Sequence, residues 1–340
     1  MATGAVPAEG GGYTGPVETS ALLDPRLLIV TGKGGVGKST VAAAVALASA
    51  RQGARTCLVE VEGRHIFSRL FDTQAWDFTE REFRSGLWGM SIDPEASLRE
   101  YLDMFYGARR LSRLVASSSA VEFATTAAPG IKDVLLIGKA KELERRRNPD
   151  GRFCYDLVVL DAPPTGRIVN FLRAPDVTTE LVNVGPIRQQ AQSLIDMLSD
   201  HRRTNLLLVT MLEEMPVAET LDSAAALRGL GVAIGPVLVN RVLAERTDKA
   251  ASKAMAELSA ADLQALLVTA GVELDAEAAT ALLDAGAAST KRLQLQRRQR
   301  NQLGKQLQVP TLELPYVYSE RFSADELGIL ASVIERAVEG

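Results

Sequence analysis

Gly32, Gly37, Lys38 and Ser39, with four residues between the two glycines, carry the first chemistry legible in the chain. At this spacing, backbone N–H groups can close around phosphate oxygens, the lysine ammonium can neutralise their charge, and the serine hydroxyl can offer a hard oxygen to Mg²⁺. A carboxylate completes the set. The apolar run 157–160 ends on Asp161, the Walker B pattern in which a strand delivers an acid to the metal directly or through water. Taken singly, the first feature reads as a glycine turn between strand and helix, and the second as a strand-end turn. Together they predict a nucleotide site. Gly34, Gly35, Val36, Gly37, Lys38, Ser39 and Thr40 would surround the phosphates, and Ser39 and Asp161 would hold the metal. Lys38 and Asp161 are also candidates for catalysis.

Lys33 adds a charge that a loop serving only its own nucleotide does not need, and by itself it reads as an exposed lysine. The run Lys33-Gly34-Gly35-Val36-Gly37-Lys38-Ser39 resembles the deviant Walker A of the ArsA, MinD and ParA ATPases. That resemblance implies ATP with Mg²⁺ as cofactors and a nucleotide-sandwich dimer. It also implies that Lys33 is a catalytic lysine reaching across the interface to the partner's phosphates.

Five further stretches resemble the ArsA-type members of that group. Glu60-Val61-Glu62-Gly63-Arg64-His65 lies where they carry Switch I. Aligned through His65, the family's water-activating aspartate falls on Glu62, one methylene longer, with Gly63 in place of a proline. The resemblance implies that Glu62 orients the attacking water. Without it, Glu62 is a solvated charge at a strand end and His65 a turn histidine. Asp161-Ala162-Pro163-Pro164-Thr165-Gly166-Arg167 is similar to Switch II, with Arg167 where those proteins have histidine and Ala162 and Pro163 also changed. Asn240-Arg241 matches the position at which the family's asparagine reads the adenine edge, its amide both donating and accepting. Pro315, after the last apolar run, joins Asn240 and Arg241 among the residues expected at the nucleotide. Glu213 to Thr220 and the pair Pro129-Gly130 are also ArsA-like.

These residues need a scaffold that gathers strand ends. The short apolar runs at 27–30, 56–61, 87–92, 157–160, 205–210, 232–239 and 309–314 alternate with helical stretches, the first at 40–52 stopped by Gly53. Such alternation predicts an α/β fold with a doubly wound, mainly parallel sheet and its ligand at the strand carboxyl ends. Residues 1–23 lack periodicity and read as a disordered tail. Residues 24–340 form a single P-loop ATPase domain in this reading, with helical insertions near 95–150, 176–203 and 243–305. In the first insertion, Leu111, Leu114, Val115, Val121 and Phe123 would line an apolar client groove by analogy with tail-anchored-protein targeting ATPases, or else serve as core. Arg145, Arg146 and Arg147 read as a solvated helix end.

A formal charge of −4 over 340 residues gives no electrostatic reason to expect a nucleic-acid partner. Cys57 and Cys154 stand apart on or beside apolar runs, without the spacing of a zinc site or of the thiolate cluster arsenite requires. The N-terminal stretch has no signal-peptide pattern and no run approaches a membrane span, so the expected location is cytoplasmic, peripheral to a membrane only through a partner. The resemblance implies a homodimer, or a heterodimer with a paralogous ATPase, coupling nucleotide state to a protein or membrane-protein client. An energising subunit of a membrane anion pump and a MinD/ParA-like positioning ATPase are the alternatives. The acidic C-terminal helix lacks the Lys/Arg-rich amphipathic face of a MinD-type membrane anchor.

Overall fold

The computed structural model describes residues 22–61, 63, 65–106, 130–181, 185–245, 249–307 and 309–339. Eight strands make one sheet: β1 (Leu27–Gly32), β2 (Thr56–Val61), β3 (Arg81–Arg84), β4 (Leu87–Ile92), β5 (Leu157–Asp161), β6 (Thr204–Thr210), β7 (Val237–Val242) and β8 (Thr311–Pro315). Their order is β3-β4-β2-β5-β1-β6-β7-β8, parallel except for β3, which runs antiparallel to β4 at one edge. This is the expected doubly wound α/β fold. β1 lies between β5 and β6, so the loop after it opens at a switch point of the strand order, where α/β sheets bind ligands.

The central strands are continuous apolar runs because both of their faces are covered. Leu27 and Ile29 of β1 enter one core, and Leu28 and Val30 enter the other. The first core is closed by α4 (Ile131–Arg145), α5 (Thr165–Leu181), α6 (Pro186–Ser199) and α7 (Glu214–Arg228). The second is closed by α1 (Lys38–Arg51), α2 (Ile66–Leu70) and α11 (Ala324–Glu339). In α1, Val41 to Ala48 are all buried, mostly alanines, and their small size lets the helix sit close to both the sheet and α11. Gly53, at φ 91°, donates its N–H to the Ala50 carbonyl and ends the helical course as expected. α3 (Pro94–Tyr106) starts with proline in its first turn, and Asp93 Oδ1 accepts the Ala96 N–H at 2.8 Å. α8 (Lys249–Glu257), α9 (Ala260–Thr269) and α10 (Ala276–Gln306) fill the late helical stretch, with Gly271 left-handed between α9 and α10.

Several expectations are corrected. The strand expected at 232–239 is β7 at Val237–Val242, because Pro236 has no N–H to give and the regular ladder begins after it. β3 lacks an apolar pattern because it is a solvent-facing edge strand. Leu22, assigned to the tail, is fully buried in the second core. Arg146 is no solvated charge: it donates to Glu80 at 2.7 Å and to Glu142 at 2.6 and 2.7 Å, which raises its pKa against the opposing effect of burial. Cys154 lies just before β5, beside the apolar run as expected, half-buried, with its thiol donating to Asn148 Oδ1 at 3.1 Å. The groove residues proposed between 111 and 123 lie outside the described residues, as do residues 1–21.

Candidate nucleotide site

The site is built on backbone that only certain residues allow. At Gly32 a Cβ would stand 2.2 Å from the Val209 carbonyl oxygen of β6, so the turn out of β1 needs glycine for room. Gly37, the residue before α1, has φ 89°, and a Cβ there would meet Asn240 Nδ2 at 2.4 Å. It needs glycine for both conformation and space. Gly34 and Gly35 are exposed between them. The first turn of α1 then begins at Lys38, so its unpaired N–H groups and the helix dipole favour an anion at the loop.

The two motifs separated by 122 positions meet. Ser39 Oγ donates to Asp161 Oδ2 at 2.6 Å, and Asp161 is 3% exposed. β5 brings the acid there through its register with β1, Val30 opposite Asp161, and the Ala162 N–H donates to the Val30 carbonyl. Thr31 Oγ1 donates to the Pro163 carbonyl at 2.6 Å, tying the end of β1 to the segment after Asp161. Lys38 is buried to 8% exposure. A hydroxyl and a carboxylate in contact are the hard oxygens that Mg²⁺ takes from protein when phosphates and water complete its shell, so these residues fit that ion.

Asn240 is also at the loop. Its Nδ2 donates to the Val36 carbonyl at 2.9 Å, and its Oδ1 accepts the Arg241 N–H at 2.9 Å. Arg241 occupies the left-handed region at φ 56°, within a register shift between Val239 and Val242. That bulge turns the chain where β7 and β8 end together, Val242 opposite Pro315. Thr40, Asn240, Arg241 and Pro315 therefore line one cleft of about 830 Å³, which also takes in Tyr316 and Phe322. The structure thus gathers the loop, Ser39, Asp161, Asn240, Arg241 and Pro315 at one end of the sheet.

Glu62 lies outside the described residues. Its neighbour Glu60 is fully buried, with its carboxylate accepting the N–H groups of His65 at 3.0 Å and Ile66 at 2.7 Å. The His65 side chain is exposed.

The sequence alone assigns Glu219 no role. Its Oε2 accepts from Lys33 Nζ at 2.8 Å, and its Oε1 accepts the Thr165 hydroxyl. Burial pulls the Glu219 carboxyl up, but these bonds outweigh it and leave the group below the usual carboxylate range. The stretch 213–220 attracted notice in the sequence, yet only the fold brings it to a lysine 186 positions away.

A glycine loop after the first strand, a hydroxyl and acid in contact, and a cleft at the strand ends define a P-loop nucleotide hydrolase. The family described as anion-transporting ATPase matches this chain over residues 25–196 and 180–266. ATPase BagA of Mycobacterium tuberculosis is 41% identical over 305 residues, covering 88% of this chain and 89% of that protein. The arsenical pump-driving ATPase of Escherichia coli is 27% identical over 241 residues, 64% of this chain and 40% of its own length. That of Acidiphilium multivorum is 27% identical over 243 residues, 65% of this chain and again 40% of its own length. The chain belongs to the anion-transporting ATPase family, of the ArsA type, and is an ATPase.

Proposed function

We propose that this ATPase binds Mg·ATP in the loop between β1 and α1 and works as a dimeric switch whose nucleotide state is passed to a protein or apolar client. The contact between Ser39 Oγ and Asp161 Oδ2 is the observation that carries the Mg·ATP part of this reading, because it brings a hydroxyl and a carboxylate from two remote motifs together beside the phosphate loop, where they would hold the Mg²⁺ that offsets phosphate charge. Lys38 would offset phosphate charge, Lys33 would act on the phosphates of a second subunit, and Glu62 would orient the attacking water. Asn240, Arg241 and Pro315 would hold the base end of the nucleotide in the cleft they line.

The pump-subunit reading is less well supported by the cysteines. Arsenite calls for clustered thiolates. Burial raises the Cys57 thiol pKa far above its ordinary value, whereas Cys154 is half-buried and bonded to Asn148. Among the described residues no helix is long and apolar enough to cross a membrane.

The test uses Lys38→Ala and Ser39→Ala. Loss of the lysine removes charge-assisted bonds and should weaken ATP affinity by about 10²-fold. Ser39→Ala should leave affinity within a few-fold but require more magnesium for half-maximal turnover. ATP affinity unchanged in the first variant, or an unchanged magnesium dependence in the second, contradicts the assigned roles.

A further inference from the structure

One carboxylate ties together three parts of the machinery. Glu219 lies on α7, Lys33 on the phosphate loop, and Thr165 is the first residue of α5, directly after the Asp161 to Pro164 segment. The ion pair is only partly covered, the Lys33 and Glu219 side chains being 29% and 32% exposed. One helical turn back, Met215 is 66% exposed, so this side of α7 faces outward rather than into the core. Lys33 is thus at the surface with its ammonium engaged within its own chain.

We propose that Glu219 is a positioning residue that holds Lys33 in cis, and that dimer closure exchanges this carboxylate for the partner's phosphates. The proposal rests on the reading that Lys33 acts in trans. Sharing is opposed by electrostatics: a carboxylate still bonded to the ammonium would stand against the phosphates the lysine is to reach, and like charges at that separation repel. Exchange therefore breaks the 2.8 Å pair. It also leaves Thr165 as the remaining described bond on Glu219, so the link between the loop and the start of α5 is cut when the second subunit arrives. A partly exposed pair of this kind opposes closure by about fivefold at most, and two of them in a homodimer by about 25-fold.

The experiment measures the dimer dissociation constant of the full chain by light scattering, with a non-hydrolysable ATP analogue and Mg²⁺. It compares wild type, Glu219→Gln, Lys33→Ala and the double variant. Glu219→Gln keeps an oxygen for Thr165 but removes the charge, and it should tighten the dimer between a few-fold and about 25-fold. A merely structural residue would weaken it. In the Lys33→Ala background the same change should have no effect. If Lys33→Ala weakens the dimer but Glu219→Gln does not tighten it, the cis hold is wrong and the trans lysine stands. If Lys33→Ala leaves the dimer unchanged, the trans reading fails and the hold fails with it. Glu219→Asp, which keeps the charge on a shorter stem, should fall between wild type and Glu219→Gln; a dimer weaker than wild type would also overturn the proposal.

Discussion

Two carboxylates stand side by side at the ends of neighbouring strands, Glu60 on β2 opposite Asp161 on β5, yet their surroundings assign them different work. Both are almost fully buried. After Glu60 the chain turns through His65, at φ 53°, and sends two N–H groups back to the carboxylate, which is consumed in starting α2. After Asp161 the chain instead leaves through Pro163 and Pro164, which have no N–H to give, and the acid meets the phosphate-loop hydroxyl. An acid at a strand end is therefore an insufficient sign of chemistry. The residues that follow decide whether its oxygens are taken up by the local backbone or reach a side chain of the phosphate-loop region.

Substitutions can break this contrast, and the largest effect should come from Asp161→Asn. It keeps the size but removes the charge that would steady the metal, so turnover should fall by about 10³-fold with ATP affinity within a few-fold, measured by steady-state phosphate release and equilibrium binding. Glu62→Gln should come next, lowering turnover by about 10² and leaving affinity unchanged. Full turnover in that variant would remove Glu62 from the mechanism.

Glu60→Gln sharpens the comparison from the other side. Its amide nitrogen cannot accept the N–H groups that the carboxylate accepts, so stability should drop by about 1–3 kcal/mol while the folded fraction keeps turnover within a few-fold. Thermal unfolding and single-turnover assays at low temperature separate the two. A large turnover loss in fully folded Glu60→Gln would make Glu60 the better candidate for the water and put the alignment through His65 out of register.

The smallest effect is expected at Glu326, a carboxylate that also serves the backbone, but in water. The hydroxyl of Ser323 first, with that of Ser319 and the Ser323 N–H, holds its pKa at about 2. A depressed carboxyl contributes stability above its ordinary value of 4.5 that is lost as pH falls through about 2. Glu326→Gln should therefore lower the unfolding midpoint slightly at neutral pH and not at all at the acid end. An equal shift at both pH values would show that the charge is irrelevant.

The loop and Asp161 were legible because their chemistry is local: glycine where φ is positive or space is short, and an acid closing an apolar strand. The parallel sheet was legible because strands covered on both faces read as unbroken apolar runs. β3 was missed because an exposed edge strand, Arg-Glu-Phe-Arg, has no such run. For Arg146 the partner Glu142 stands at readable helical spacing, four residues back, but the second partner, Glu80, is 66 positions away and leaves no spacing to read. Glu219 escaped for the same reason, since an ion pair between a loop and a distant helix leaves no spacing to read.

The chain's two tryptophans fall on opposite sides of the sheet, with optical consequences. Trp76 lies on the α1 side, its ring against Gly89, and lines a cavity with Gly63, the next residue after Glu62. Trp88 packs on the other side, edge-on to Tyr155. A rearrangement around Gly63 would change the polarity at Trp76 and leave Trp88 as an internal standard. The unlabelled protein thus carries a fluorescence gauge for any such rearrangement, and Trp88→Phe would isolate the Trp76 signal for a stopped-flow instrument to follow when ATP is added.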